Sequence, residues 1–382
     1  YINYYKVTEN IFRKEGSCNT YLVVTPGGSV VIDPAGAQEP SSPLLSLTES
    51  APLQTILLTH AHTDHNGGYE VWNPEKKIPV IAQREHAEFI HYHQRLAGFF
   101  AARDAVQGNV AHIDTEAEIA PTLLFGDEHS FELGGFHFNV YHTPGETPDT
   151  AVIWVPELKA AFVGDNYYTS FPNLSPPRGS KPRWALDFVN SLEKILSLEP
   201  EMVFPGHGEP IIGAEKVRQR LGAYRKAVLE VHDAVVKGMN EGKDVYTLMR
   251  EIKLPSDSEL DESYGKVSWG VRGIYEAYRG WYDGNPVNLY DQPVSSIYPV
   301  LLELVGNDDA IAERAGELLA GGEEAKASRL CDVVLEVRPD HRPTLEVRLK
   351  ALTSLRMKCR NYIEARQLDH AIRLTREKLP AQ

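Results

Sequence analysis

The sequence predicts a layered α/β domain followed by an all-helical domain, and three observations carry that reading. Short apolar runs separated by turn residues recur from residue 1 to about 212, the strand signals stop there, and beyond residue 213 the apolar residues keep helical spacing. A chain of 382 residues also exceeds one typical core, so two domains, 1–212 and 213–382, are expected.

Strands are predicted over 20–24, 29–32, 55–58, 79–82, 136–141, 151–155 and 160–163. Several are apolar throughout, the pattern of strands covered on both faces. Helical patterns over 85–104 and 184–198 place helices outside the sheets. One long helix is predicted through Val217, Leu221, Val228, Val231, Val235 and Met239. The segments 310–319, 325–337, 344–355 and 365–374 follow as antiparallel helix pairs, divided by Gly321-Gly322 and Pro339. They are similar to tetratricopeptide-type packing, without a strict repeat period.

Composition narrows the function. Hydrophobic residues at 42% and charged residues at 24% are ordinary for a soluble globular protein. A formal charge of −14 with no basic run argues against nucleic acid, which needs clustered Lys and Arg, and leaves a local small-anion pocket open. Cys18, Cys331 and Cys359 lie far apart, giving neither a disulfide framework nor a thiolate metal site, and are expected to be packed, idle thiols. No run approaches the roughly 20 apolar residues of a membrane span. A cytoplasmic location is expected, with export left open because the chain starts at Tyr1 rather than Met.

The strongest chemical signal is Thr59-His60-Ala61-His62-Thr63-Asp64-His65-Asn66-Gly67-Gly68, directly after the run 55–58. A strand end can aim the alternating His60 and His62 at one metal ion, and the turn that follows can swing Asp64 and His65 toward a second. Four ligands on one loop cannot complete two coordination shells. Glu146, Asp165 and His207 recur downstream, each just beyond an apolar run and each beside a glycine. His142 is expected to pack near Glu146 without ligating. His86, His91 and His93 are expected on a partly exposed helix face.

Two divalent ions about 3.5 to 4 Å apart can hold a water, lower its pKa toward neutrality and stabilise charge on an attacked or leaving oxygen. Asp64 is the candidate catalytic residue, placed to orient that water as well as to bind metal. No serine-centred nucleophile elbow is present, so hydrolysis by activated water is the expected class. Arg178, Lys181 and Arg183 follow Asp165 closely in an acidic chain, and at least one of them is expected to face an anionic substrate group.

This ordered set resembles the metallo-β-lactamase superfamily, whose pattern runs HxHxDH, TPGHT, GD and a late His on strand-end loops of an αββα sandwich. The resemblance implies that His60 and His62 join the first metal, that Asp64, His65 and His207 join the second, and that Asp165 bridges them. The superfamily's third His is here Glu146. A carboxylate makes the first site more tolerant of manganese or iron, with zinc still the first expectation.

The chain further resembles the alkyl sulfatases. Pro172-Asn173-Leu174-Ser175-Pro176-Pro177-Arg178-Gly179 stands where that family has a motif like HNLYTLRG, and Gly145-Glu146-Thr147-Pro148 where it uses Glu in a TEAP context. Tyr224-Arg225-Lys226 through Val231-His232-Asp233 is similar to its RDxYxxxHD helix. Tyr264-Gly265-Lys266-Val267-Ser268 and Arg279-Gly280-Trp281-Tyr282-Asp283-Gly284-Asn285-Pro286 are similar to its dimerisation domain. The resemblance implies an αββα sandwich followed by an all-α dimerisation domain, a homodimer, and hydrolysis of a small, anionic alkyl sulfate ester. Substrate contacts are implied from Asn173, Arg178 and Arg225, with Trp269 lining a wall where the family has His. An indole cannot clamp an anion or protonate a leaving group, so a lactonase or carboxylic ester hydrolase is the alternative. A noncatalytic, metal-stabilised interaction protein is the reading from another class. The family's sterol-carrier-like C-terminal domain is expected to be absent.

Overall fold

The computed structural model describes residues 4–36, 43–107, 119–177, 179–180, 183–256 and 258–379. The chain divides into two compact units, one of residues 1–104 and 109–277, the other of 105–108 and 278–382.

In the first unit one sheet carries β1 (Tyr4–Lys6), β2 (Ile11–Lys14), β3 (Thr20–Thr25), β4 (Gly28–Ile32), β5 (Leu53–Leu57), β6 (Val80–Gln83) and β7 (Leu123–Phe125) side by side in chain order. The strands β1 to β4 pair antiparallel and β4 to β7 parallel. The parallel connections pass through α1 (Pro43–Ser50), α2 (Thr63–Asn66), α3 (Tyr69–Trp72), α4 (Glu85–Arg95) and α5 (Ala97–Gln107). A second sheet orders β8 (Glu128–Leu133), β9 (Phe136–His142), β10 (Ala151–Val155), β11 (Ala160–Gly164), β12 (Met202–Pro205) and β13 (Ile211–Ile212). Its outer layer is built from α6 (Ala185–Ser197), α7 (Ala214–Asn240), α8 (Val245–Glu251) and α9 (Val267–Arg279).

The layers follow from residue alternation. In β10, Ala151, Ile153 and Val155 face the space between the sheets, while Val152 and Trp154 face the helices. A strand covered on both sides must be apolar throughout, which is why the run 151–155 shows no period of two. Between the sheets Phe162 stacks on Phe204 at 4.7 Å, and Tyr21 meets both edge-on at 5.3 Å. The outer face of the first sheet is covered through Leu44, Tyr69 and Trp72. The architecture is therefore helices, sheet, sheet, helices, the expected αββα sandwich.

The division by packing differs from the one expected at 212 and 213. Val217, Leu221, Tyr224, Val228, Val231 and Val235 of α7 are buried with α6 and the outer face of the second sheet, and the unit runs on to Ala277. Helical periodicity marks where strands stop, which is not where a core stops. The pattern over 85–104 forms two helices, α4 and α5, broken at Leu96. The edge strand β8 was not legible as a run because Glu128–Leu133 alternates exposed and half-buried residues.

The second unit contains α10 (Tyr298–Val305), α11 (Asp308–Ala320), α12 (Glu324–Leu335), α13 (Arg342–Lys358) and α14 (Tyr362–Glu377). Asn307 and Asn361 cap two of them through backbone N–H groups, and Ala315, Cys331, Leu335 and Leu345 form a buried cluster. Among the described residues no helix is long and apolar enough to cross a membrane.

Candidate metal centre

Four strand ends deliver polar groups to one edge of the sandwich. His60 and His62 follow β5, and the single turn of α2 supplies Asp64 and His65. Glu146 lies in the loop after β9, Asp165 follows β11, and His207 follows β12. The strands β9, β11 and β12 run in one direction, since β10 opposes both β9 and β11 while β12 is parallel to β11. Their C-terminal loops therefore emerge together.

Four groups of donors converge there, with the donor atoms of each group within 4.8 Å of one another. Asp165 sits at the centre. Its Oδ1 lies 3.3 Å from His65 Nε2, and its Oδ2 lies 3.4 Å from His207 Nε2 and 4.0 Å from His60 Nε2. On one side Asp64 Oδ2 stands 3.3 Å from His207 Nε2 and 3.9 Å from His65 Nε2. On the other, His62 Nδ1 stands 2.9 Å from His60 Nε2 and 4.0 Å from Glu146 Oε1.

The electrostatics suit cations. Burial opposes ionisation of Asp165, yet His207 and His65 hold its carboxyl well below the ordinary range. Asp165 in turn, against burial and with help from Asp64, raises His207 to about 10. Burial, then the charges of His65 and His62, push His60 well below its ordinary value. His65 Nε2 and Asp165 Oδ1 are both fully buried and have no hydrogen-bond partner, although they face each other. Buried polar atoms without partners are costly. A divalent ion coordinated by both would satisfy them, and the mixture of imidazole and carboxylate fits zinc, with manganese or iron admitted by the carboxylates.

Around these donors lies a supporting set. Asp33 Oδ2 lies 2.8 Å from His65 Nδ1, and the Asp33 carboxylate accepts from Thr59 N at 2.8 Å and Thr59 Oγ1 at 2.6 Å. A proton on Nδ1 directed at Asp33 leaves Nε2 free to coordinate. Asn19 donates from Nδ2 to the carbonyls of Pro205 and Gly208, and Tyr21 donates its hydroxyl to Pro205 O at 2.7 Å. Arg13 adds a two-pronged bond to Glu209 at 2.6 and 3.0 Å. The first sheet thus grips the loop that carries His207 from the second.

Comparison with known proteins agrees with this arrangement. The family model of the metallo-beta-lactamase superfamily matches residues 13–207. The chain belongs to the metallo-beta-lactamase superfamily. A second model, alkyl sulfatase dimerisation, matches residues 247–369. A linear primary-alkylsulfatase of a Pseudomonas species is 27% identical over 366 residues, covering 87% of this chain and 69% of its own length. An alkyl/aryl-sulfatase of Saccharomyces cerevisiae is 23% identical, covering 92% of this chain and 60% of its own. The solved structure of a stereoselective inverting sec-alkylsulfatase from Pseudomonas superposes on the whole chain with a TM-score of 0.86 at 23% identity, and 66% of that protein is covered. The chain spans 58 to 69% of the length of the curated alkylsulfatases it matches.

Within this superfamily chain, the seven donors read from the sequence all come together. Asn173 is buried beside them: its backbone N–H donates to Tyr168 Oη at 3.2 Å, and that hydroxyl donates to Glu146 Oε2 at 3.3 Å. Arg225 is half-buried and its guanidinium lies 3.4 Å from Glu193. Trp269 is half-buried, with Lys266 Nζ 5.6 Å from its ring centre. Arg178 and Lys181 lie outside the described residues.

Several expectations need correction. Of the three cations from which at least one anion contact was expected, Arg183 is the described one, and it is buried with its Nη1 2.6 Å from Glu146 Oε1. His86 and His93 are buried rather than partly exposed, and His86 pairs with the buried Asp149 at 3.3 Å. His93 Nδ1 lies 2.9 Å from Phe89 O, and its ring stacks on Phe100. Cys18 is a buried free thiol, as expected, with its Sγ 3.1 Å from His65 Nδ1. Burial holds its thiol well above its ordinary value, so it stays a neutral neighbour. His142 packs beside the Glu146 loop, as expected, with its Nε2 2.7 Å from Pro148 O.

Gly206 shows how tightly the ligand loops meet. A Cβ there would lie 2.4 Å from His65 Cε1 and 2.5 Å from Asp165 Oδ1. Gly206→Ala is expected to weaken metal affinity by roughly 10- to 100-fold, because it displaces two donors at once. Titration with zinc against a competing chelator measures this, and unchanged affinity would contradict the close approach.

Proposed function

We propose that this chain is a dinuclear, metal-dependent hydrolase of alkyl sulfate esters. The observation that carries the reading is the single carboxylate of Asp165, shared between two histidine groups, with a buried and unpartnered amide nearby. Two divalent ions, zinc by preference, would lower the pKa of water toward neutrality and polarise the ester oxygens.

The chain's own residues define the approach. His60, His65 and Asp165 lie at the bottom, while the Asp64 and His207 side chains keep 30% and 37% exposure, so the ester enters on their side. Asp64, on that open side, is the residue proposed to orient the attacking water. Asn173 has both amide atoms buried without a hydrogen-bond partner, and Tyr168 holds its backbone one hydroxyl away from Glu146. An amide so placed can donate to a sulfate oxygen. The Tyr224 hydroxyl is likewise buried and within electrostatic reach of Glu146 and Asp165. Arg225 meets Glu193 through Nη2 alone and its buried Nε has no hydrogen-bond partner, so the guanidinium keeps donors for the anion, and Trp269 would supply apolar wall.

A second copy of the chain is proposed as the partner. Trp281, Tyr290 and Leu304, 75%, 73% and 78% exposed, leave large apolar side chains uncovered within the region matched by the dimerisation model. Light scattering should give twice the chain mass at micromolar concentration, and a monomer mass would overturn the proposal.

Asn173→Ala is expected to lower kcat/KM for a medium-chain alkyl sulfate by roughly 10- to 100-fold with metal content unchanged, the loss of one hydrogen bond to a charged group. Sulfate release by ion chromatography is the readout. Wild-type protein that releases no sulfate from any chain length but opens lactones or neutral esters would contradict the sulfatase reading and favour the neutral-ester alternative.

A further inference from the structure

Glu146 poses a problem of charge. It is 2% exposed, and with Asp64 and Asp165 it makes three carboxylates among seven donors. Arg183 answers it. Its Nη1 lies 2.6 Å from Glu146 Oε1, and it is itself 7% exposed, reaching the site from the segment just before α6. The same guanidinium donates to Asn173 O at 3.2 Å, and against burial Glu146, with Tyr264, keeps it charged. Tyr168 donates to the other Glu146 oxygen. One oxygen of Glu146 is thus ion-paired and the other hydrogen-bonded by residues of the segment between β11 and α6. A buried arginine is a costly group unless paired, so its presence here calls for a carboxylate as much as the carboxylate calls for it.

We infer that Arg183 is the counter-charge of the first metal subsite, so that Glu146 and Arg183 act together as a donor with the net charge of one neutral imidazole. The inference rests on the dinuclear reading of this site. With Arg183 counted, the net negative charge around the metals falls from three to two, the value that a histidine at position 146 would give without any arginine. Arg183 is a positioning residue in this account. It acts through Glu146 and through the Asn173 backbone.

The pair predicts a specific non-additivity. Glu146→His alone strands a buried guanidinium beside two cations, and Arg183→Met alone leaves an uncompensated carboxylate with no fixed orientation. Glu146→His and Arg183→Met together remove both charges. The experiment measures zinc bound per chain in chelator-buffered zinc, and the thermal midpoint of the metal-stripped proteins, for wild type, both single variants, the double variant and Arg183→Lys. Each neutralising single variant is expected to lose zinc affinity by roughly 10-fold or more, the usual effect of removing a group that orients a ligand. The double variant should return to within about threefold of wild type, and Arg183→Lys, which keeps a positive charge but loses the guanidinium's forked contacts, should fall between Arg183→Met and wild type.

Losses that multiply in the double variant would overturn the inference, as would an Arg183→Met protein that binds zinc like wild type. Arg183→Lys that folds but binds as poorly as Arg183→Met would also overturn it, since charge would then not be what matters. Wild-type protein binding fewer than two ions would instead defeat the dinuclear reading on which the inference rests, before any variant is compared.

Discussion

The structure depends on keeping one ionised carboxylate, Asp165, in a dry place between two groups of imidazoles. Burial alone would neutralise such a group, and only nearby positive charge keeps it ionised. Much of the surrounding architecture serves that constraint. The two sheets must be packed closely enough for β5, β11 and β12 to end within a few ångströms of each other, which the Tyr21, Phe162 and Phe204 cluster accomplishes. The ligand loops then need residues without side chains where they cross, as at Gly206, and hydrogen bonds from one sheet to the other, as from Asn19 and Tyr21.

The helical layer over the second sheet contributes to the site as well as to the core. Tyr168 and Asn173 lie in the segment between β11 and α6, Arg183 just before α6, and Tyr224 on α7. Together they form a buried polar group behind Glu146. The same unit therefore combines donors from strand ends, which would hold the metals, with donors from the helical side, which reach Glu146 and the backbone carbonyl of Asn173. That is why the compact unit extends to Ala277 and not to the last strand.

The donors most legible in the sequence were those following apolar strands, because a polar residue that interrupts a buried run demands a reason. His60, His62, Asp64, His65, Asp165 and His207 all have that form. Asp33 has it too, at the end of β4 in Ile32-Asp33-Pro34, and the same rule applied there would have found it. Arg13, Asn19 and Arg183 could not be found this way. Their partners lie 196, 186 and 37 residues away in sequence, and nothing local distinguishes a buried paired arginine from a solvated one. The domain boundary was hidden for a related reason, since periodicity reports local shape while burial depends on what packs opposite.

The most direct test of the account is metal stoichiometry in wild type and in Asp165→Ala, measured by elemental analysis after reconstitution and removal of loosely bound ions. A carboxylate shared by two ions predicts about two per chain in wild type and loss at both positions in the variant. Wild type that saturates at one ion per chain, or a variant that retains one ion at full occupancy, would contradict it.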